Sequence, residues 1–115
     1  MFDFEKLNVY VKAKALSKEI IALLRDVKSI DPYIRDQLKR ASISSVINIA
    51  EGSGKFTKAD KRKFYIISRG SVYECVSLLE LIHEDRLIDD NLFDNFYKKH
   101  EELSKMLLGL INSQS

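Results

Sequence analysis

The side chains best equipped to bind something cluster in one short stretch. Between Ser53 and Gly70 lie Lys55, Lys58, Lys61, Arg62, Lys63 and Arg69, opposed only by Asp60, a local charge of +5. Clustered Lys and Arg attract phosphates, because neutralising a phosphate releases condensed counterions. Arg35, Lys39 and Arg40 stand upstream and extend the patch if folding brings them close. Acidic residues gather later, where Glu84, Asp85, Asp89, Asp90, Asp94, Glu101 and Glu102 outnumber Arg86, Lys98 and Lys99 by four. The chain is therefore polarised end to end, although its net charge of +2 is too small to hold a polyanion by itself. The bland reading of the same cations is a solvated helix face.

The remaining candidates point away from catalysis. Gly52-Ser-Gly-Lys55 has the look of a phosphate loop, but Ile49 stands where that motif needs Gly and Phe56 where it needs Ser or Thr. A helix end and a turn explain it better. His83 and His100 lack ligand-spaced partners, and metal sites need several donors to converge. His100 falls on an apolar seam, so both histidines read as structural. Cys75 has no adjacent base to make it a nucleophile and reads as a buried thiol. Asn48 and Glu51, one turn apart, lie across from Arg69 and Glu74 if their helices are antiparallel. These four residues suit a polar network between helices or subunits.

Those residues need four helices to position them. Val9, Ala13, Leu16, Ile20, Leu23 and Val27 step by threes and fours, which predicts a helix from about Phe4 to Val27. Asp31-Pro32 supplies an N-cap and a first-turn proline for a second helix. That helix is expected to run to Glu51 and stop at Gly52 in a left-handed cap. Thr57, with Asp60 three residues on, is a variant capping box for a third helix reaching about Asp85. A fourth starts near Asp89 or Asp90, with Phe93, Phe96, His100, Leu103, Leu107 and Leu110 along its seam. No segment alternates with period two for long enough to be a strand. Connections are short, and each of the longer helices spans about 37 Å at 1.5 Å per residue. The expected fold is all-α, an antiparallel up-down-up-down four-helix bundle.

The second helix carries small residues (Ala41, Ser42, Ser44, Ser45, Ala50) and β-branched ones (Ile43, Val46, Ile47, Ile49) around most of its circumference. A helix apolar on more than one face is usually covered on more than one face. Contact with a second copy of the chain is expected there, with Ala41 and Ser44 as candidate contact positions.

Composition sets the outer limits. With 115 residues, 45% hydrophobic and 31% charged, residues 1–115 read as one globular domain. A lone cysteine excludes an internal disulfide framework and fits a reducing, cytoplasmic setting. Met1-Phe-Asp-Phe-Glu5 is acidic and not followed by an apolar run, so no leader is expected. No apolar run approaches the ~20 residues of a membrane helix.

Arg40-Ala-Ser-Ile-Ser-Ser-Val-Ile-Asn-Ile-Ala-Glu-Gly52 resembles the signature of the four-helix-bundle proteins encoded in intervening sequences of bacterial large-subunit ribosomal RNA. The downstream Phe64-Tyr-Ile-Ile-Ser-Arg-Gly-Ser71 and Glu74 resemble that family too, and Asn48-Ile-Ala-Glu-Gly52 followed after the loop by Arg69-Gly70-Ser71 is the strongest part of the match. Helix pattern and length extend it over nearly the whole chain. Ser45-Val46 stands where members often carry Ile-Pro, which removes the residue that would kink helix two. Members often have an aromatic, commonly Trp, early in helix one, and Tyr10 takes that place here. The resemblance implies an antiparallel bundle assembled into a homopentameric ring, without catalysis, and nucleic-acid binding is the usual suggestion for such proteins. A relative, the accessory protein of diversity-generating retroelements, works beside a reverse transcriptase and its RNA.

The expectation is a cytoplasmic, non-enzymatic homo-oligomer that binds RNA or DNA through Lys55, Lys58, Lys61, Arg62, Lys63, Arg69 and Arg40. Asn48, Glu51, Gly52, Gly70, Ser71 and Glu74 are expected to form the structural and assembly motif. No cofactor, metal, membrane or small-molecule substrate is expected. The alternative is a protein-interaction scaffold with no nucleic-acid role.

Overall fold

A computed structural model describes residues 1–115. A short 3₁₀ turn (Asp3–Lys6) precedes four helices: α1 (Asn8–Asp26), α2 (Pro32–Ser53), α3 (Lys58–Glu84) and α4 (Asp90–Asn112). There is no strand, and no helix is long and apolar enough to cross a membrane. The molecule measures 44 × 22 × 21 Å, one helix long and two helices wide.

Cross-helix pairs give the direction of each helix. Ser45 and Ser44 of α2 meet Ser68 and Ser71 of α3, while Gly52 meets Tyr65. As numbers rise on one helix they fall on the other, so α2 and α3 are antiparallel. Ser17–Ser42 and Leu24–Arg35 give the same result for α1 and α2. Arg69–Ser104 and His83–Phe93 do so for α3 and α4. Ion pairs of 3.0 Å, Lys12–Glu102 and Glu19–Lys99, close the bundle between α1 and α4.

The predicted seams are the core. Ile20, Leu23, Leu24, Leu38, Ala41, Cys75, Leu79, Ile82 and Phe96 fill one half, while Val9, Ala13, Leu16, Ile49, Val72, Leu103 and Leu107 fill the other. Ile20, Leu38, Ile49 and Leu107 are wholly buried, and each such side chain contributes about 1.5–3 kcal/mol. On their helices Ser17, Ser42, Ser45 and His100 fall between the two halves, and every buried side-chain donor or acceptor has a partner.

The caps follow local chemistry. The Asp31 carboxylate accepts from the Tyr33 and Ile34 amides at 2.8 and 3.2 Å. Asp89 accepts from Leu92 at 2.8 Å, and Thr57 accepts from Asp60 at 3.1 Å. The Thr57 bond satisfies one of the amide donors that any helix start leaves open. At the end of α3 Arg86 takes φ 61°, and the Leu87 amide reaches back to the Ile82 carbonyl at 3.3 Å. That is a Schellman closure without its usual glycine.

Several expectations need correction. The first helix begins at Asn8, because Leu7 is extended (φ −75°, ψ 125°) and separates it from the 3₁₀ turn. Gly52 does not stop α2. The helix runs through it to Ser53 and is closed by Gly54 at φ −83°, and no glycine has positive φ. Gly52 is required for close approach instead: a Cβ there would lie 2.7 Å from Tyr65 Cε1 and 3.1 Å from Phe64 Cβ. Ala41 faces its own bundle core, so it is no contact position for a second copy. Much of the apolar circumference of α2 is covered from within the chain, by α1 on one side and α3 on the other.

Two glycine substitutions should have opposite signs. Gly52→Ala drives a Cβ into the buried, rigid Tyr65 ring, and overpacking of this kind costs about 1–3 kcal/mol. Gly70 sits mid-α3, and nothing lies within 4 Å of the position a Cβ would take there. Gly70→Ala should therefore stabilise an isolated chain by about 0.5–1 kcal/mol. Urea denaturation of both variants checks the pair, and a neutral Gly52→Ala would remove close approach as the constraint.

Candidate nucleic-acid interface

The α2–α3 turn is four residues long and braced from both helices. The Gly54 amide donates to the Ala50 and Glu51 carbonyls at 3.3 and 3.2 Å, and the Lys55 amide to Gly52 at 3.1 Å. Lys61 Nζ donates to the Ser53 carbonyl at 2.7 Å, placing a cation on the negative end of α2. Lys55 Nζ lies 4.8 Å from the Phe64 ring centroid, a cation–π geometry. Two cations of the cluster are therefore engaged in holding the turn.

Arg69 is engaged elsewhere. Its Nε donates to the Ser104 carbonyl of α4 at 3.1 Å, and its guanidinium lies against Tyr73. Arg40 is exposed but lies twelve residues up α2 from Gly52, roughly 18 Å along the helix axis. It does not join the loop cluster, and neither does Lys39. Arg35 donates to the Leu24 and Val27 carbonyls and so closes α1. What remains is Lys58, Arg62 and Lys63, all exposed on the first turns of α3. Lys58 and Arg62 share a face at i, i+4 spacing, with Lys63 beside it. None of the four ion pairs in the chain involves any of the three.

The network expected from Asn48, Glu51, Arg69 and Glu74 does not form within the chain. Arg69 turns to α4, and Glu51 and Glu74 are exposed. A shorter chain of contacts stands in its place. Asn48 Nδ2 donates to the Ser44 carbonyl and hydroxyl at 2.9 and 3.0 Å. Ser71 Oγ lies 2.9 Å from Ser44 Oγ and bridges α2 to α3. Ser68 Oγ donates to the Ser45 carbonyl at 2.7 Å, deeper in the same seam. Asn48, Gly52 and Ser71 thus all serve the α2–α3 contact, while Gly70 faces outward.

The opposite end of α3 carries the acidic turn. There His83 stacks on Phe93 with centroids 4.3 Å apart and meets Asp90 at 2.8 Å. No three His, Cys, Asp or Glu side chains converge as metal ligands. Burial, with a smaller contribution from Glu74, pushes the Cys75 thiol up to about 12, which leaves it protonated and unreactive.

The model of the family described as "23S rRNA-intervening sequence protein" matches residues 5–109. The chain belongs to that family. A crystal structure of a protein of unknown function from the S23 ribosomal protein family of Bacteroides thetaiotaomicron VPI-5482 superposes with a TM-score of 0.86. It is 21% identical, and the match covers 90% of this chain and 95% of that one. At that identity it shows the shared fold. No curated protein matches the chain.

One residue of this region is not singled out by charge or periodicity. Phe56, at the tip of the turn, has 102% relative exposure. Its only signal in the sequence is an aromatic set between Lys55 and Lys58 in a turn otherwise built of small and polar residues.

His100 makes the fold sensitive to acid. Burial holds its imidazole below the ordinary 6.5, against smaller opposing effects of the Phe96 carbonyl it bonds at 2.7 Å and of Glu19. The unfolded chain therefore binds the extra proton more readily. Stability is fully present above pH 6.5 and is lost as pH falls through that value. Unfolding free energies measured at pH 7, 6.25 and 5.5 should decline by up to about 1.4 kcal/mol per pH unit. The decline should be shallower in His100→Gln, and an equal slope in both proteins would assign it to other groups.

Proposed function

We propose that this chain assembles into a ring and holds RNA by its phosphates. The observation that carries the reading is the exposed trio Lys58, Arg62 and Lys63, none of which forms an ion pair with a carboxylate of the chain. Cations that a fold leaves unpaired on one face are free to meet a polyanion. The other cations of the stretch support the trio indirectly, since Lys55 and Lys61 fix the turn from which it projects. A local charge repeated around an axis offsets the small net charge of each copy. DNA phosphates would satisfy the same contacts.

Two unlike apolar patches favour a ring over a two-fold dimer. One is on α2, where Ile43 and Ile47 flank Ser44 and Asn48 in a shallow hollow. The other lies between α3 and α4, where Ile66, Tyr73 and Leu108 surround Gly70. Different patches meeting head to tail generate a heterologous interface, which builds a ring when its rotation closes and a filament when it does not. The open space over Gly70 suits a neighbouring backbone that approaches closely. Five subunits is the number the family resemblance implies. The chain would then act by binding, not by catalysis, in the cytoplasm beside its RNA.

Assembly is checked by sedimentation. Wild-type protein at micromolar concentration should run as a multimer, and Ile47→Glu or Gly70→Leu should shift it toward monomer with helicity retained. A monomeric wild type refutes the ring.

Binding is checked by fluorescence anisotropy with labelled RNA at two salt concentrations. Affinity should fall steeply with salt and depend little on sequence. Changing Lys58, Arg62 and Lys63 together to Ala should weaken binding at least about tenfold at low salt. The slope of log K against log salt should flatten by about 0.7 for each single-strand phosphate that is no longer neutralised. A wild type with no affinity at low salt would favour an interaction scaffold.

A further inference from the structure

We propose that Phe56 is a stacking platform for an unpaired base, so that the α2–α3 turn prefers single-stranded nucleic acid to duplex; this rests on the nucleic-acid reading above and specifies its ligand. Phe56 is the most exposed large apolar residue of the chain, at 102%. No ring of the chain stacks on it and no cation covers it. The nearest cation in sequence, Lys55, is drawn away to Phe64.

The turn that presents Phe56 is not loose. Gly54, Lys55 and Lys61 tie it to the last carbonyls of α2, from Ala50 to Ser53. Thr57 then starts α3 directly after it. The backbone at Phe56 is thus fixed on both sides, and stacking needs to order only the side-chain torsions of one aromatic. Both faces are open, which a flat partner requires.

Charge selects the partner. Phe56 stands two residues before the unpaired Lys58 and leads into the first turns of α3, which carry Arg62 and Lys63, an arrangement of aromatic and cations that suits a strand whose bases stack while its phosphates meet the cations. A duplex keeps its bases inside and could use the cations alone. A lipid surface would take an apolar side chain too, but the flanking turn residues Gly54 and Thr57 offer it no second apolar anchor. A neighbouring subunit would reach the side patches on α2 and α3, whereas Phe56 projects at the end of the long axis.

The test uses the full-length protein with two labelled probes, a twelve-nucleotide single-stranded RNA and a duplex of equal length. Phe56→Ala should weaken single-strand binding about five- to a hundred-fold and leave duplex binding unchanged, with helicity and sedimentation as in wild type. The chain has no tryptophan, so Phe56→Trp adds one fluorophore at the site. That variant should keep its affinity, and its emission should be quenched by the single strand and not by the duplex. Equal affinity of Phe56→Ala and wild type for the single strand overturns the stacking role while leaving phosphate binding in place. Absence of all nucleic-acid binding from wild type overturns both. A smaller sedimentation coefficient for Phe56→Ala makes the residue a subunit contact and overturns the proposal. So does a blue shift of Phe56→Trp on vesicles containing phosphatidylglycerol without quenching by RNA.

Discussion

Close contact between α2 and α3 is the constraint on which the rest depends. Gly52 lets the Tyr65 ring approach to a distance that no side chain would permit, and Ser45–Ser68 and Ser44–Ser71 repeat that closeness up the seam. Small side chains give up hydrophobic area, so the seam needs another source of cohesion. It comes from hydrogen bonds that a serine can reach only when backbones are near, each worth about 0.5–1.5 kcal/mol net. The two helices then behave as one unit. Their connecting turn inherits that rigidity, and with it the position of every residue from Lys55 to Lys63.

The remaining helices close the bundle on different terms. α1 and α4 meet through the ion pairs Lys12–Glu102 and Glu19–Lys99, both partly solvated, and such pairs contribute little individually. Their cohesion comes from the two apolar halves of the core. Serines and the buried His100 fall between those halves, bonded mainly to backbone carbonyls of their own helices. Polar groups satisfied in that local way need no particular partner across the bundle. They are tolerated in the interior at low cost, apart from the acid sensitivity that a neutral imidazole brings.

Much of this was legible from periodicity and caps. Asp31-Pro32, Thr57 and Asp89 each begin a helix where their side chains predict, because capping is a contact between residues two or three apart. The seams were legible for the same reason, since the period of an α-helix maps spacing onto a face. Gly52 lies in the last turn of α2, where a glycine suggests a cap, yet close approach is what requires it. Sequence shows that a glycine stands near a helix end, whereas the ring it accommodates is thirteen residues away and on another helix. The break at Leu7 was not legible, because apolar spacing continues across it. The network through Arg69 failed because a guanidinium on α3 can turn to either neighbour, and the one-dimensional pattern does not say which.

The basic cluster shows where counting ends and geometry begins. Six cations between Ser53 and Gly70 look equivalent in sequence. In the fold Lys61 neutralises the end of α2, Lys55 rests on Phe64, and Arg69 binds a carbonyl of α4. A cation already paired with a carbonyl or a ring must give up that contact, or share it, before it can serve a phosphate. Local charge therefore overstates the binding capacity of the stretch, while the engaged residues still raise the electrostatic potential around it. Lys58, Arg62 and Lys63 are different because no ion pair or ring contact of the chain engages them. Solubility alone would account for scattered surface lysines. It does not account for three unpaired cations that follow a fully exposed aromatic on a turn tied to both of its helices.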